Sequence, residues 1–476
     1  FARVQATPEV DRTSNRVTLT MRSEPSRRVY VRRVAIGGNN RTRDEVIRRE
    51  FRQYEASWYD GDKIKLSRDR VDRLGFFTEV NVDTQEVPGS PDQVDLTINV
   101  AEKPTGTLQL GAGFSSAEKV SFTFGIAQEN VFGSGNYLGL QVNTSKYNRA
   151  ISLTTTDPYF TKDGISRSLS LYHTTTRPYY SVDGDYRLIN EGGNIRFGVP
   201  FSEVDTVFFG AGLERYRFDG GNVANLVPRS YLNYFGCTAT SPTTVDCAKD
   251  SVSGVPLTVG WSRDDRDSAL VPTRGRLQRA NLEVGVGGDM KYLKTSYQYQ
   301  QFFPINKQYT FAINGELGYA KPYGGEVYPI FKNFYAGGLG SIRGFEQNSL
   351  GPRDVPLPFQ SEGAALGGTK KAIFNAELST PFPGAGNDRT LRLYSFFDVG
   401  NVFGTRDPLT TDAQWKAQRK LRASVGLGIS WISPLGPLRL AYAFPVMQQD
   451  EDLTDPLNPI PKDRIQRLQF QIGTSF

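Results

Sequence analysis

Residues 106–126 read GTLQLGAGFSSAEKVSFTFGI, and the spacing of their apolar side chains decides the fold. Leu108, Leu110, Ala112 and Phe114 alternate with Thr107, Gln109, Gly111 and Gly113; after a polar turn, Val120, Phe122, Phe124 and Ile126 repeat the pattern. A period of two places one set on each face of an extended strand. The alternation continues through segments near 135–145, 149–157, 165–178, 186–198, 204–218, 252–263, 274–287, 291–304 and 308–320, and after a long interruption through 371–381, 390–402, 420–432, 436–446 and 465–476. That makes sixteen strands, and no helical period appears after Gly106.

A soluble sandwich also alternates, so the chemistry of the second face decides between the two. That face carries Gln, Asn, Arg, Lys, Glu and small residues, which leaves sixteen strands nothing to bury in a shared core. An even-stranded barrel with lipid outside and a polar lumen satisfies every strand and removes the free edges. Composition agrees: Gly (48), Tyr (23) and Phe (30) are abundant, while Met (3), Trp (4) and His (1) are scarce. No run reaches the roughly 18 apolar residues of a membrane helix, a limit that does not apply to a transmembrane barrel. The odd-numbered connections include the long ones, near 219–251, 321–369, 403–419 and 447–464, and most even-numbered ones are as short as SPLGP or PINK. Long loops on one side and short turns on the other are the outer-membrane pattern, with the N-terminal residues on the periplasmic, short-turn side.

Residues 1–104 follow another rule. Phe77–Val82 followed by Val94–Pro104 echoes Phe1–Ala6 followed by Val17–Pro25, and both pairs read as hairpins with an acidic-proline exit. Between them come a strand over 29–36, a GGNN turn, a helix over about 42–51 and a second over about 61–74. Thr42 with Glu45 three residues later reads as a capping box, and Asp62 as the cap of the second helix. The order β-α-α-β-β is complete once. The expected domains are therefore 1–25, the end of a truncated earlier module; 26–104, a complete module; and 105–476, a sixteen-stranded antiparallel transmembrane barrel whose long extracellular loop spans 321–369. More copies are expected upstream, and the opening FARVQATPEV shows no signal-peptide pattern.

Inside that loop, residues 337–351 read GGLGSIRGFEQNSLG. Leu339, Ile342 and Phe345 recur at spacing three around Arg343, the mark of a loop built to pack rather than of slack chain. Cys237 and Cys247 lie close together in a polar loop; two thiolates with no histidine nearby supply half a zinc shell, which favours a local disulfide in an oxidising compartment. The net charge of +6 is interleaved with acids, so no nucleic-acid footprint stands out. No full GxGxxG, P-loop, HExxH or GxSxG is present, and His173 sits alone on strand five in a lumen or interface position. No catalytic residue, metal or cofactor is assigned, and the chain reads as a non-enzyme.

With these residues in view the chain resembles the BamA family of outer-membrane assembly factors, within the POTRA-plus-barrel superfamily. The β-α-α-β-β module looks like the last POTRA domain, and Ile342-Arg343-Gly344-Phe345 matches the family's (V/I)RG(F/Y) motif in the sixth extracellular loop. Phe396-Phe397-Asp398-Val399-Gly400 on strand thirteen matches F-x-D-x-G, and Glu377 on strand twelve matches the family's acid there. Alternation turns Asn375 and Glu377, and Arg392, Tyr394, Phe396 and Asp398, into the lumen. The loop is therefore expected to fold back so that Arg343 pairs with Glu377 and Asp398. The resemblance implies ATP-independent insertion of unfolded β-barrel proteins into the Gram-negative outer-membrane bilayer, through a lateral gate between strands one and sixteen. Gly111, Gly113 and Gly473 would weaken that seam. Periplasmic accessory lipoproteins would bind the POTRA domains. Phe470, Ile472 and the terminal Phe476 resemble the C-terminal signal of barrel substrates. The alternative is a polypeptide-secretion pore of the same superfamily.

Overall fold

The computed structural model describes the chain except residues 1, 12–15, 26–27, 178–185, 220–226, 242–243, 270, 307, 355–362, 385–389, 405–408, 434–435, 456–459 and 474–476. It forms two compact units, Phe1–Thr107 with Ala127–Leu138, and Leu108–Ile126 with Gly139–Phe476.

The first unit opens with an antiparallel hairpin, Ala2–Asp11 against Arg16–Pro25. A three-stranded sheet follows, in which Ser90–Glu102 lies centrally, parallel to Tyr30–Gly37 and antiparallel to Phe77–Val87. Parallel neighbours need a crossover, and the helices Asp44–Arg48 and Gly61–Arg73 supply it. The longer helix buries Ile64, Ser67 and Val71, spaced three and four apart on one face. These meet Val31, Val34, Val46, Ile47, Leu96 and Ile98 in a closed apolar core.

Both expected caps are corrected here. Asp60, not Asp62, caps the longer helix, its carboxylate accepting from the backbone N–H of Asp62 (3.0 Å) and Lys63 (3.2 Å). The shorter helix starts after Arg43 with no side-chain cap. The Thr42 hydroxyl instead accepts from Asn130 Nδ2 at 2.8 Å, and the Glu102 carboxylate takes the backbone N–H groups of Asn40, Arg41 and Thr42. A capping box needs both side chains free to turn back on the helix, and here the threonine is engaged elsewhere.

The second unit is a closed barrel of sixteen strands, running in chain order until the last meets the first. Strand one is Gly106–Ser115, seven Asp205–Asp219, nine Gly275–Gly288, ten Tyr292–Pro304, eleven Thr310–Pro322, twelve Lys370–Pro381 and thirteen Leu391–Phe403. Fourteen is Arg422–Ser433, fifteen Gly436–Met447 and sixteen Leu468–Ile472. Outward-facing apolar residues stay exposed around the barrel, from Leu110 (73%) and Phe122 through Leu171, Leu213, Leu317 and Phe374 to Leu427 and Phe444. Exposed leucine and phenylalanine on every second residue, over a closed barrel with a polar lumen, make a lipid-facing surface.

The loops depart from the expectation of no further helix. Arg229–Phe235 and Asp412–Gln418 are short helices, each too brief for a period to show. The second carries a sequence signal all the same, a capping box between Thr411 and Gln414. Cys237 and Cys247 face each other in a small loop hairpin and are disulfide-bonded. Around them Tyr186, Phe218, Tyr231, Leu232, Phe235, Met290 and Tyr292 form an apolar cluster, so these outer loops pack on one another.

Candidate functional site

Two backbone decisions bring the site together. Strand twelve presents Asn375 and Glu377 inward because Phe374 and Leu378 take the outward positions. Strand thirteen turns Phe397 outward and thereby Tyr394, Phe396 and Asp398 inward. The loop between strands eleven and twelve then enters the lumen with its residues 336–350, where Ile342 and Phe345 are wholly buried with Ala336, Leu350, Ile373 and Val402. Leu339 packs separately against Tyr394, Phe396, Ala441 and Ala443.

Arg343 lies between these two apolar anchors, 4% exposed. Its Nε and Nη2 donate to the two oxygens of Asp398, each at 2.7 Å, and its backbone N–H donates to Asp398 Oδ2 at 3.0 Å. Nη1 donates to Glu377 Oε2 at 3.0 Å. The guanidinium carbon sits 3.6 Å from the Phe396 ring centre, adding a cation–π contact to the bidentate pair. Asp398 is fully buried and has a further donor, Asn375 Nδ2 at 2.9 Å, which also reaches Ser341 O at 2.8 Å. Asn314 donates to Asn375 Oδ1, and Gln298 to Asn314 Oδ1, so a polar chain runs across strands ten to twelve. Arg439 approaches Glu377 at 3.6 Å from strand fifteen.

Glycine beside the arginine follows from geometry. Gly344 has φ +90°, and a Cβ there would stand 2.9 Å from Ala443 Cβ. Gly400 lies in register opposite Ile373. The arrangement orients the loop and braces it against strands twelve and thirteen; among its described residues no nucleophile–base pair is brought together. His173 pairs with Glu191 Oε1 at 3.1 Å on the neighbouring strand, both half-exposed.

Of the remaining named residues, Gly111, Gly113, Phe470, Ile472 and Gly473 lie on or beside strands one and sixteen, which meet at the seam. Strand sixteen pairs with fifteen at five register positions, Leu438–Ile472 to Tyr442–Leu468. Against strand one the described residues give two, Phe114–Ile472 and Ser115–Gln471, plus Ser116 N–H donating to Phe470 O at 2.9 Å. Twelve and thirteen, by contrast, pair over twelve positions. Phe470 meets Phe114 across the seam with ring centres 5.4 Å apart. Gly473 has φ +83°, and a Cβ on it would come within 2.5 Å of Ala112 O and 3.1 Å of Gly113 Cα. Gly111 is half-buried on the same strand, and Phe476 lies outside the described residues. Strand sixteen begins at Leu468 rather than at the expected 465, because Ile465–Gln466 pairs with Gly344–Phe345 of the loop instead, and the expected end at 474–476 lies outside the described residues.

Three contacts went unread in the sequence. Lys332, on the same loop, places Nζ 2.8 Å from both Glu214 on strand seven and Glu283 on strand nine. Their inward parity was legible, since Leu213 and Leu282 face out, but their cation was not. Arg422 on strand fourteen holds Asp463 through Nε at 2.6 Å and Nη2 at 3.2 Å. Gln469 on strand sixteen is the third.

Residues 130–476 match the Omp85 superfamily domain. The chain belongs to the Omp85 superfamily. Residues 29–103 of this Omp85 chain match the POTRA family, described as a surface antigen variable number repeat. It is 36% identical over its whole length to the outer membrane protein assembly factor BamA of Neisseria meningitidis serogroup B, covering 60% of that protein. It is 27% identical to the sorting and assembly machinery component 50 homolog of Xenopus tropicalis, over 89% of this chain and 88% of that one. BamA from Haemophilus ducreyi lacking POTRA domains 1–3 superposes with a TM-score of 0.80 at 26% identity, covering 100% of this chain and 90% of that one. CdiB from Escherichia coli, at 12% identity and a TM-score of 0.59, shares the fold alone. The chain spans 52% to 60% of the BamA relatives it matches over 94% or more of its own length. It is an outer-membrane protein, with its POTRA module on the periplasmic side.

Proposed function

We propose that this Omp85 chain inserts unfolded β-barrel proteins into the outer membrane by opening sideways between strands one and sixteen, without ATP. The observation that carries the reading is the seam, two described register pairs beside five on the neighbouring side of the same strand. Backbone groups of strand one released when the seam opens are a template to which an incoming strand adds by main-chain hydrogen bonds. The exchange conserves hydrogen bonds, so it needs no external energy source: each bond lost at the seam is replaced by one to the substrate. The loop contact at Arg343 holds strands twelve and thirteen rigid while the seam works. Accessory lipoproteins of the periplasm bind the POTRA domains, whose sheet offers Tyr30–Gly37 and Phe77–Val87 as edge strands. Catalysis and nucleic-acid binding have no part in this reading.

Depletion in cells tests it. Loss of the chain should remove many unrelated outer-membrane barrels together; loss of a single secreted polypeptide, with barrels intact, would support the secretion pore instead.

A further inference from the structure

Gln469 is 1% exposed on the lumen face of strand sixteen. Its Nε2 donates to Phe345 O at 2.6 Å and its Oε1 accepts from Gly344 N–H at 3.2 Å. The loop continues beside it as a short antiparallel pairing, Gly344 opposite Gln466 and Phe345 opposite Ile465, and Glu346 N–H donates to Arg464 O at 2.9 Å. We propose that Gln469 is a positioning residue that couples the RGF loop to strand sixteen, so that loop and strand move as one body when the seam opens. This rests on the assembly reading above and adds to it which edge of the seam the loop restrains.

The chemistry is specific to a primary amide. Glutamine answers one backbone acceptor and one backbone donor at once; glutamate cannot donate, and leucine can do neither, leaving buried polar groups unpaired. The residue before these two groups is Arg343, already fixed to strands twelve and thirteen. Adjacent residues of one loop therefore hold three strands. Moving strand sixteen away from the barrel breaks the amide pair, the short pairing and the Glu346–Arg464 bond. Moving strand one away breaks only the contacts of Phe114, Ser115 and Ser116 with strand sixteen among the described residues.

The test uses two cysteine pairs in the full chain, reconstituted in liposomes. Glu346→Cys with Arg464→Cys reports the loop against the segment leading into strand sixteen, where the native side chains approach to 3.8 Å. Ser115→Cys with Gln471→Cys reports the seam, where the two residues are in register. Oxidative crosslinking is scored with and without a urea-unfolded eight-stranded outer-membrane barrel protein stalled during insertion. With substrate, the seam crosslink should fall by about fivefold while the loop crosslink holds within about twofold. Gln469→Leu and Gln469→Glu, each judged folded by heat-modifiable mobility, should lower the loop crosslink and the insertion rate by about threefold or more. Coupling is overturned if the loop crosslink falls with the seam crosslink in the otherwise native chain, or if both variants keep crosslink and rate. A seam crosslink that persists under substrate would instead overturn the lateral opening, while the two variants still decide the coupling.

Discussion

Arg343 is buried only because Asp398 and Glu377 are there to meet it, and each partner would be costly alone. Breaking a buried charge set by removing one member costs about 3–5 kcal/mol in dry surroundings, and less in a wet lumen. Arg343→Ala should therefore lower the thermal midpoint of heat-modifiable mobility and open loop 323–369 to trypsin. Arg343→Lys should recover little, since an ammonium cannot span both oxygens of Asp398 while reaching Glu377. A second residue-scale prediction concerns the POTRA module. Burial alone would raise the Glu102 carboxyl, but hydrogen bonds from Thr42, Arg41 and Asn40 hold it below the usual carboxylate range. A depressed folded value means the stabilisation is full above the unfolded value, about 4.3, and is lost as pH falls through the folded one. Glu102→Gln should flatten that part of the acid-unfolding curve of the module, followed by far-UV circular dichroism, and leave neutral-pH behaviour to its lost backbone bonds alone.

At the scale of elements, loop 323–369 is fastened at three places by three chemistries. Lys332 binds strands seven and nine, Arg343 twelve and thirteen, and Gly344 with Phe345 sixteen. Lys332→Met should expose the loop to protease by stranding two carboxylates. Lys332→Met combined with Glu214→Gln and Glu283→Gln should recover part of the loss, because the unpaired charges go with the cation. The strands themselves were legible in the sequence, since a period of two repeats wherever one face meets lipid. Glu377 and Asp398 were legible for the same reason: parity fixes the face before any contact is known. Lys332 and Gln469 were not, because their partners lie 118 and 124 residues away and are chosen by how the loop folds, which no local period encodes. The cap of the POTRA helix failed for a different reason: Asp60 and Asp62 both fit the local pattern, and only the turn geometry picks between them.

For the whole molecule, closure is the organising fact. A barrel in lipid must satisfy every backbone group, so a seam that opens on the proposed route requires the strand beside it to be held by other means. Here fifteen, through five register pairs, and the loop, through Gln469, hold strand sixteen from both sides. Gly473 completes the joint, since its conformation and the nearness of Ala112 O leave no room for a side chain. Gly473→Val should impair seam closure, read as slower oxidative formation of the Ser115→Cys, Gln471→Cys crosslink, without lowering the protease resistance of the loop. Sideways opening is the claim on which the functional account stands. It is tested most directly by insertion of an unfolded barrel protein into liposomes by the chain carrying Ser115→Cys and Gln471→Cys, oxidised and then reduced. The account predicts insertion lower by roughly tenfold when oxidised and restored by reductant; equal insertion by the oxidised and reduced chain would contradict it.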